Sequence, residues 1–184
     1  LRDLSPALPD GLRRYYQDRG PLYDLTEELE RADRAFCQDP ENFQPFRVEQ
    51  RVSWSASAPG AHYFLTTLSR TPEPRLLEEI QWTDAFDPMT GAHIPTEELF
   101  SAGRDQVIAA LLAQMKGVEA PLAQELRDAF QFSYLCFWPD HLSVRFPAGS
   151  LPSQEYSWGW SIGYDALSGV LRPWAVPAEE PPEL

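Results

Sequence analysis

The run Tyr156-Ser157-Trp158-Gly159-Trp160-Ser161-Ile162-Gly163-Tyr164-Asp165 decides the fold class. Large side chains occupy every second position and Ser, Gly or Asp the positions between. A period of two puts one set on each face of a β-strand, whereas a helix would scatter the aromatic rings around its axis. Immediately upstream, Leu142, Val144 and Phe146 alternate in the same way. Before them, Phe130, Phe132, Tyr134, Cys136 and Trp138 form another alternating run, with Pro139-Asp140 at the turn, so a hairpin is predicted to lead into this strand.

Further toward the N-terminus the period changes to that of a helix. Val107, Ile108, Leu111, Leu112 and Met115 form one apolar stripe, with Ser101 as cap, Lys116 in the last turn and Gly117 at the end. Pro121 opens a shorter helix through Leu122, Leu126, Ala129 and Phe130. Earlier still, Phe46, Val48, Val52 and Trp54 alternate with Arg47, Glu49, Arg51 and Ser53. Ala58-Pro59-Gly60-Ala61 reads as a type II turn into a returning strand over 63–70. A further strand is expected over 75–86, ending at Asp87-Pro88-Met89-Thr90-Gly91, a cluster of turn residues. Leu25, Leu29, Ala32 and Phe36 recur at helical spacing behind Asp24, which predicts a helix over 25–37. The sum is an α+β chain: antiparallel sheet of about six strands packed with two or three helices. Its expected parts are an arm without regular structure over 1–24, a single domain over 25–172, and a flexible, acidic, Pro-rich tail over 173–184.

Composition excludes several classes. The 184 residues are 43% hydrophobic, with six Trp, ten Phe and seven Tyr, enough to build a core and far from a disordered composition. The 28 acidic side chains against 15 basic ones give a net charge of -13, a field that repels phosphate backbones and removes nucleic acid as a partner. The same field steers cationic proteins inward, or serves solubility alone. No apolar run reaches the roughly twenty residues a bilayer crossing needs. Cys37 and Cys136 lack CxxC spacing and read as two buried free thiols, with a disulfide as the alternative.

One string looks catalytic. Gly159-Trp160-Ser161-Ile162-Gly163 matches G-x-S-x-G, which raises a serine nucleophile only where a strand ends at the serine and a helix follows at once. The alternation here runs through Ser161, so a serine hydrolase is the alternative reading, and no catalytic residue is assigned. His62, His93 and His141 lack a second ligand at metal spacing, and no phosphate loop is present, so no metal or cofactor is expected. The row Tyr156, Trp158, Trp160 and Tyr164 is either core or a stacking platform for a sugar or peptide.

Three strings resemble a bacterial family. They are Gly60-Ala61-His62 between two strands; Phe86-Asp87-Pro88-Met89-Thr90-Gly91 leading to Pro95-Thr96-Glu97-Glu98-Leu99-Phe100; and Gly163-Tyr164-Asp165-Ala166-Leu167 after the last strand. The family is the domain of unknown function that forms the extracytoplasmic part of anti-sigma factors of the lysozyme-sensing type and that stands beside polysaccharide deacetylase domains in cell-wall enzymes. The resemblance spans about residues 46–171. It departs at Pro147-Ala148-Gly149-Ser150, where the family is richer in glycine and tyrosine, and in a longer Gly60 to Gly91 interval. What it implies is a non-catalytic binding or sensing module of the cell envelope, held to the membrane by a segment outside this sequence. A secreted cell-wall hydrolase or an envelope glycan would be its partner, and a structural spacer is a further alternative. His62, Trp158 and Trp160 are the candidate partner surface.

Overall fold

Residues 47 to 94 give a meander. In a computed structural model, which describes residues 10–45, 47–71, 78–115 and 117–178, β1 (Arg47–Ala58), β2 (Ala61–Thr71), β3 (Glu78–Phe86) and β4 (His93–Ile94) form an antiparallel sheet in that order. Phe46, residues 72–77 and Lys116, to which the sequence reading assigned strand and helix positions, lie outside the described residues. The alternation sorts side chains cleanly. Trp54, Phe64 and Asp84 are cross-strand neighbours on one face, as are Val52, Thr66 and Trp82. Ala56, Tyr63 and Ala85 belong to the core on the other face. The β1–β2 turn differs from the expected type II, because Gly60 does not adopt a positive φ. Glycine is needed there for space: a Cβ would lie 2.8 Å from the Trp174 ring.

The second sheet is three-stranded, in the order β5 (Leu135–Phe137), β6 (His141–Phe146), β7 (Trp158–Gly163), all antiparallel. The expected strand from Phe130 shrinks to three residues, since Phe132–Tyr134 form a 3-10 turn. Phe130 and Phe132 pack edge to face, 5.6 Å between centroids, instead of alternating across a pleat. Helices α3 (Arg104–Ala113) and α4 (Ala120–Ala129) supply Val107, Ile108, Leu111 and Leu126 to the core shared with Tyr63, Phe137, Val144 and Phe146. Tyr63 lies flat on Phe137 at 4.5 Å and joins the two sheets. Gly103, not Ser101, precedes the first turn of α3; the Ser101 hydroxyl donates instead to the Val170 carbonyl at 3.1 Å. Arg104 reaches across to donate to the Arg127 and Phe130 carbonyls at the end of α4, where a cation offsets the helix dipole.

One helix covers the opposite face of the first sheet, and a second is tied to that side by an ion pair. The stretch expected to be an irregular arm contains α1 (Asp10–Arg19), whose Leu12 and Tyr16 pack on Phe64 and Phe86 in a separate apolar cluster. Helix α2 (Leu25–Gln38) is capped by Asp24, which accepts from the Thr26 and Glu27 amides. It buries no residue, and Leu25, Leu29 and Phe36 are 64%, 61% and 48% exposed. Cys37 on this helix is exposed, not buried as expected, whereas Cys136 is buried, and both thiols are free. Residues 173–178, expected to belong to a flexible tail, are docked. Ala175 is fully buried, the Gly60 amide donates to the Trp174 carbonyl at 2.9 Å, and the Ala178 amide donates to the Ser57 carbonyl at 3.0 Å.

Candidate functional site

Strand β7 answers the question raised by the G-x-S-x-G string. Ser161 sits mid-strand opposite Ser143, and the two hydroxyls are 3.1 Å apart. A Cβ on Gly159 would lie 2.1 Å from the Val144 carbonyl, so this glycine lets β6 and β7 approach. Gly163 has φ -67 and nothing within 4 Å of an added Cβ. The motif is thus satisfied by strand packing, without the strand-turn-helix that a serine nucleophile needs.

The three candidate surface residues are not brought together: His62 belongs to the first sheet, Trp158 and Trp160 to the second. His62 is half-buried. Its Nδ1 is 3.1 Å from Ser57 Oγ, its ring packs against Trp54 at 4.8 Å, and burial lowers its pKa. Trp158 and Trp160, also half-buried, lie against Phe146 on the core side, with Trp160 nearly parallel to it at 6.2 Å. The aromatic row is therefore mostly core lining, and Tyr156 alone of the four is exposed. Trp158 also borders an apolar groove with Met115, Val118 and Leu122, flanked by Glu119 and Glu125.

Sequence reasoning missed two features. The first is Asp84, a buried carboxylate that accepts from the Tyr15 and Tyr16 hydroxyls at 3.0 Å each and pairs with Arg19 at 2.9 Å. Tyr15 stacks on His93 at 4.6 Å, and Arg19 lies 5.1 Å from the Trp82 ring centre. Burial, then the charge of Asp84, push the Tyr15 phenol up to about 12 and that of Tyr16 higher still; burial lowers His93. The Tyr15 and Tyr16 hydroxyls and the Arg19 guanidinium hold α1 on the sheet through Asp84.

The second is a crevice of about 220 Å³ between β3 and the small-residue face of β6 and β7, lined by Gln81, Ser143, Arg145, Gly159, Trp160 and Ser161 among others. Arg145 was detectable as the lone charge inside the strand Leu142 to Phe146. What lay opposite it was not, because register is fixed by tertiary packing.

These elements define a two-sheet α+β domain with its helices divided between the two sides of the first sheet. That arrangement occurs in a DUF3298 family protein from Bacteroides fragilis NCTC 9343, at a TM-score of 0.50 and 8% identity over 87% of this chain and 68% of that one. A DUF3298 family protein from Pseudomonas aeruginosa PAO1 aligns at a TM-score of 0.48 and 12% identity, over 91% of this chain and 78% of that one. The fold is thus one found in a bacterial domain of unknown function. Compared by sequence, no family profile matches the chain, and no curated protein does.

Proposed function

We propose that this chain is a non-catalytic, extracytoplasmic binding or sensing module of the bacterial cell envelope, and that its partner is a basic secreted protein of the cell-wall hydrolase type. The observation that carries the reading is the solvent-facing stripe of α2. Leu25, Leu29 and Phe36 are all exposed, and the helix that bears them holds four carboxylates, Glu27, Glu28, Glu30 and Asp33, against two guanidiniums, Arg31 and Arg34. Large apolar side chains on one exposed helix face are what helix-in-groove recognition uses. The acidic surround, on a chain of net charge -13, favours a cationic partner and speeds its approach. The family resemblance of the turn and strand motifs points to the same class.

The test is a binding titration of the purified chain against a basic lysozyme-type hydrolase at low and moderate ionic strength, with the double variant Leu25→Ser/Leu29→Ser beside the wild type. Expected is binding that weakens with salt and falls by about tenfold or more in the variant, while the melting temperature stays unchanged. Absence of binding at both salt levels overturns the reading. So does binding that the double variant leaves intact.

A further inference from the structure

The crevice between β3 and β6–β7 has a one-sided chemistry. Arg145 and Ser143 point to the same face of β6, opposite Gly159 and Ser161 of β7, and all four line the cavity. None of the described residues lining it is acidic, although the chain carries 28 carboxylate side chains. Arg145 itself has no ion pair or hydrogen bond among the described residues and is exposed, so its five N–H donors meet solvent and are open to a ligand. The Ser143 and Ser161 hydroxyls share a single hydrogen bond. Two hydroxyls that satisfy each other with one proton keep the second proton to donate, from buried Ser143 or from exposed Ser161. Ser157 adds another hydroxyl to the lining. Trp160 adjoins the crevice through its backbone between Gly159 and Ser161, while its ring packs on Phe146 on the other face of β7. Hydroxyl donors thus collect beside a guanidinium, and Gln81 adds an amide, both donor and acceptor, to the same lining. Gly159 keeps the floor open beneath Arg145, its cross-strand neighbour.

From this surplus of donors we infer that the crevice is a carboxylate-binding site, in which the Arg145 guanidinium grips the two oxygens of a carboxylate and the Ser143–Ser161 pair donates the remaining hydroxyl proton to it. A planar guanidinium matches a carboxylate through two parallel N–H···O bonds, the geometry that gives such pairs both strength and selectivity. At about 220 Å³ the cavity falls below the roughly 300 Å³ at which pockets begin to take whole drug-sized ligands. It therefore accepts a small carboxylate or the carboxyl end of a peptide, not a larger body. The site goes beyond the partner surface on α2. Gln81 of the crevice and Arg70, which is tied to α2, occupy opposite faces of the first sheet, so either can fail without the other.

The experiment is an NMR titration of the full chain that follows backbone amide and arginine side-chain N–H signals, with acetate, N-acetyl-alanyl-alanine and the C-terminal amide of that dipeptide as probes. The free-acid dipeptide is expected to shift the Gly159 and Ser161 amide signals, and its amide to bind about tenfold or more weakly. Acetate binding as tightly as the dipeptide identifies a free small carboxylate as the ligand; tighter binding of the dipeptide identifies a peptide terminus. Arg145→Met is expected to abolish the shifts, and Arg145→Lys to weaken them, because an ammonium cannot make the paired contact. Arg145 is exposed, so both variants should keep the wild-type melting temperature. Equal binding of acid and amide, undiminished binding by Arg145→Met, or no shift with either carboxylate overturns the assignment.

Discussion

At Gly159 a single missing methyl group decides how two strands meet. Its Cα lies under the Val144 carbonyl so closely that any side chain must push β7 away from β6. Gly159→Ala is expected to cost about 1–3 kcal/mol through this overlap. Gly163→Ala, in extended backbone with open space around it, should stay within about 0.5 kcal/mol of the wild type. Urea denaturation of the two variants checks both figures. If the glycines served a nucleophile-bearing turn, both changes would be damaging, and equal losses would sink the packing account. The sequence showed that Gly159 lies on the small-residue face, since that follows from the alternation alone. Why it must be glycine was hidden, because the atom that excludes a Cβ, the Val144 carbonyl oxygen, belongs to a neighbouring strand whose register no local pattern specifies. Asp84 was hidden for a similar reason. It looks like any acidic residue near a strand end until Tyr15, Tyr16 and Arg19, some 65 or more positions away, converge on it.

Among the elements, α2 is the one whose stability is easiest to trace. Its 14 residues bury no side chain, and an isolated helix of about that length is marginal in water. Two attachments stand out among the described residues. Asp24 caps it, and Glu28 pairs with Arg70 of β2 at 2.6 Å, both side chains largely shielded from solvent. Arg70→Ala leaves the Glu28 carboxylate shielded and without this partner, a change that costs about 3 kcal/mol where the structure cannot yield. Here α2 can yield by detaching. The expected outcome is loss of amide exchange protection across Leu29–Gln38, with a smaller drop in the denaturation midpoint of the sheets. Protection that survives in α2 would show that other contacts hold it. The periodicity of Leu25, Leu29 and Phe36 predicted this helix almost to the residue, but spacing alone does not say which side meets the protein, and these three face solvent. The reverse happened with α1. Only Leu12 and Tyr16 are buried in it, too sparse a stripe to read as a helix, and its docking relies on the polar cluster around Asp84.

Across the whole molecule, two buried phenols and one half-buried phenol fasten parts that no single element would hold. Tyr16 donates to Asp84 and holds α1. Tyr63 donates to the Ala175 carbonyl and holds the C-terminal segment against the β1–β2 hairpin. Tyr164 donates to the Trp138 and His141 carbonyls, at 2.7 and 2.8 Å, and holds the turn between β5 and β6. Burial is the largest cause of a raised pKa at each of them, and it also brings Tyr15 to about 12. A phenol whose folded pKa exceeds its unfolded value of 10.0 keeps its proton in the native state after the unfolded chain has lost it. Its contribution is complete below pH 10 and is lost as pH rises through the folded value. The chain is therefore expected to hold a constant denaturation midpoint from neutral pH to about 10, then to weaken steadily toward pH 12 and above. Tyr63→Phe should lower stability at neutral pH by about 1 kcal/mol, the worth of one hydrogen bond plus the acceptor it strands. The same variant should flatten the alkaline slope, because one of the ionising groups is gone. General charge repulsion would also weaken the chain at high pH, but it would leave the slope of Tyr63→Phe almost as steep as that of the wild type. Urea midpoints at pH 7, 10, 11 and 12 for the two proteins distinguish these outcomes, and parallel curves would rule out the buried phenols as the cause.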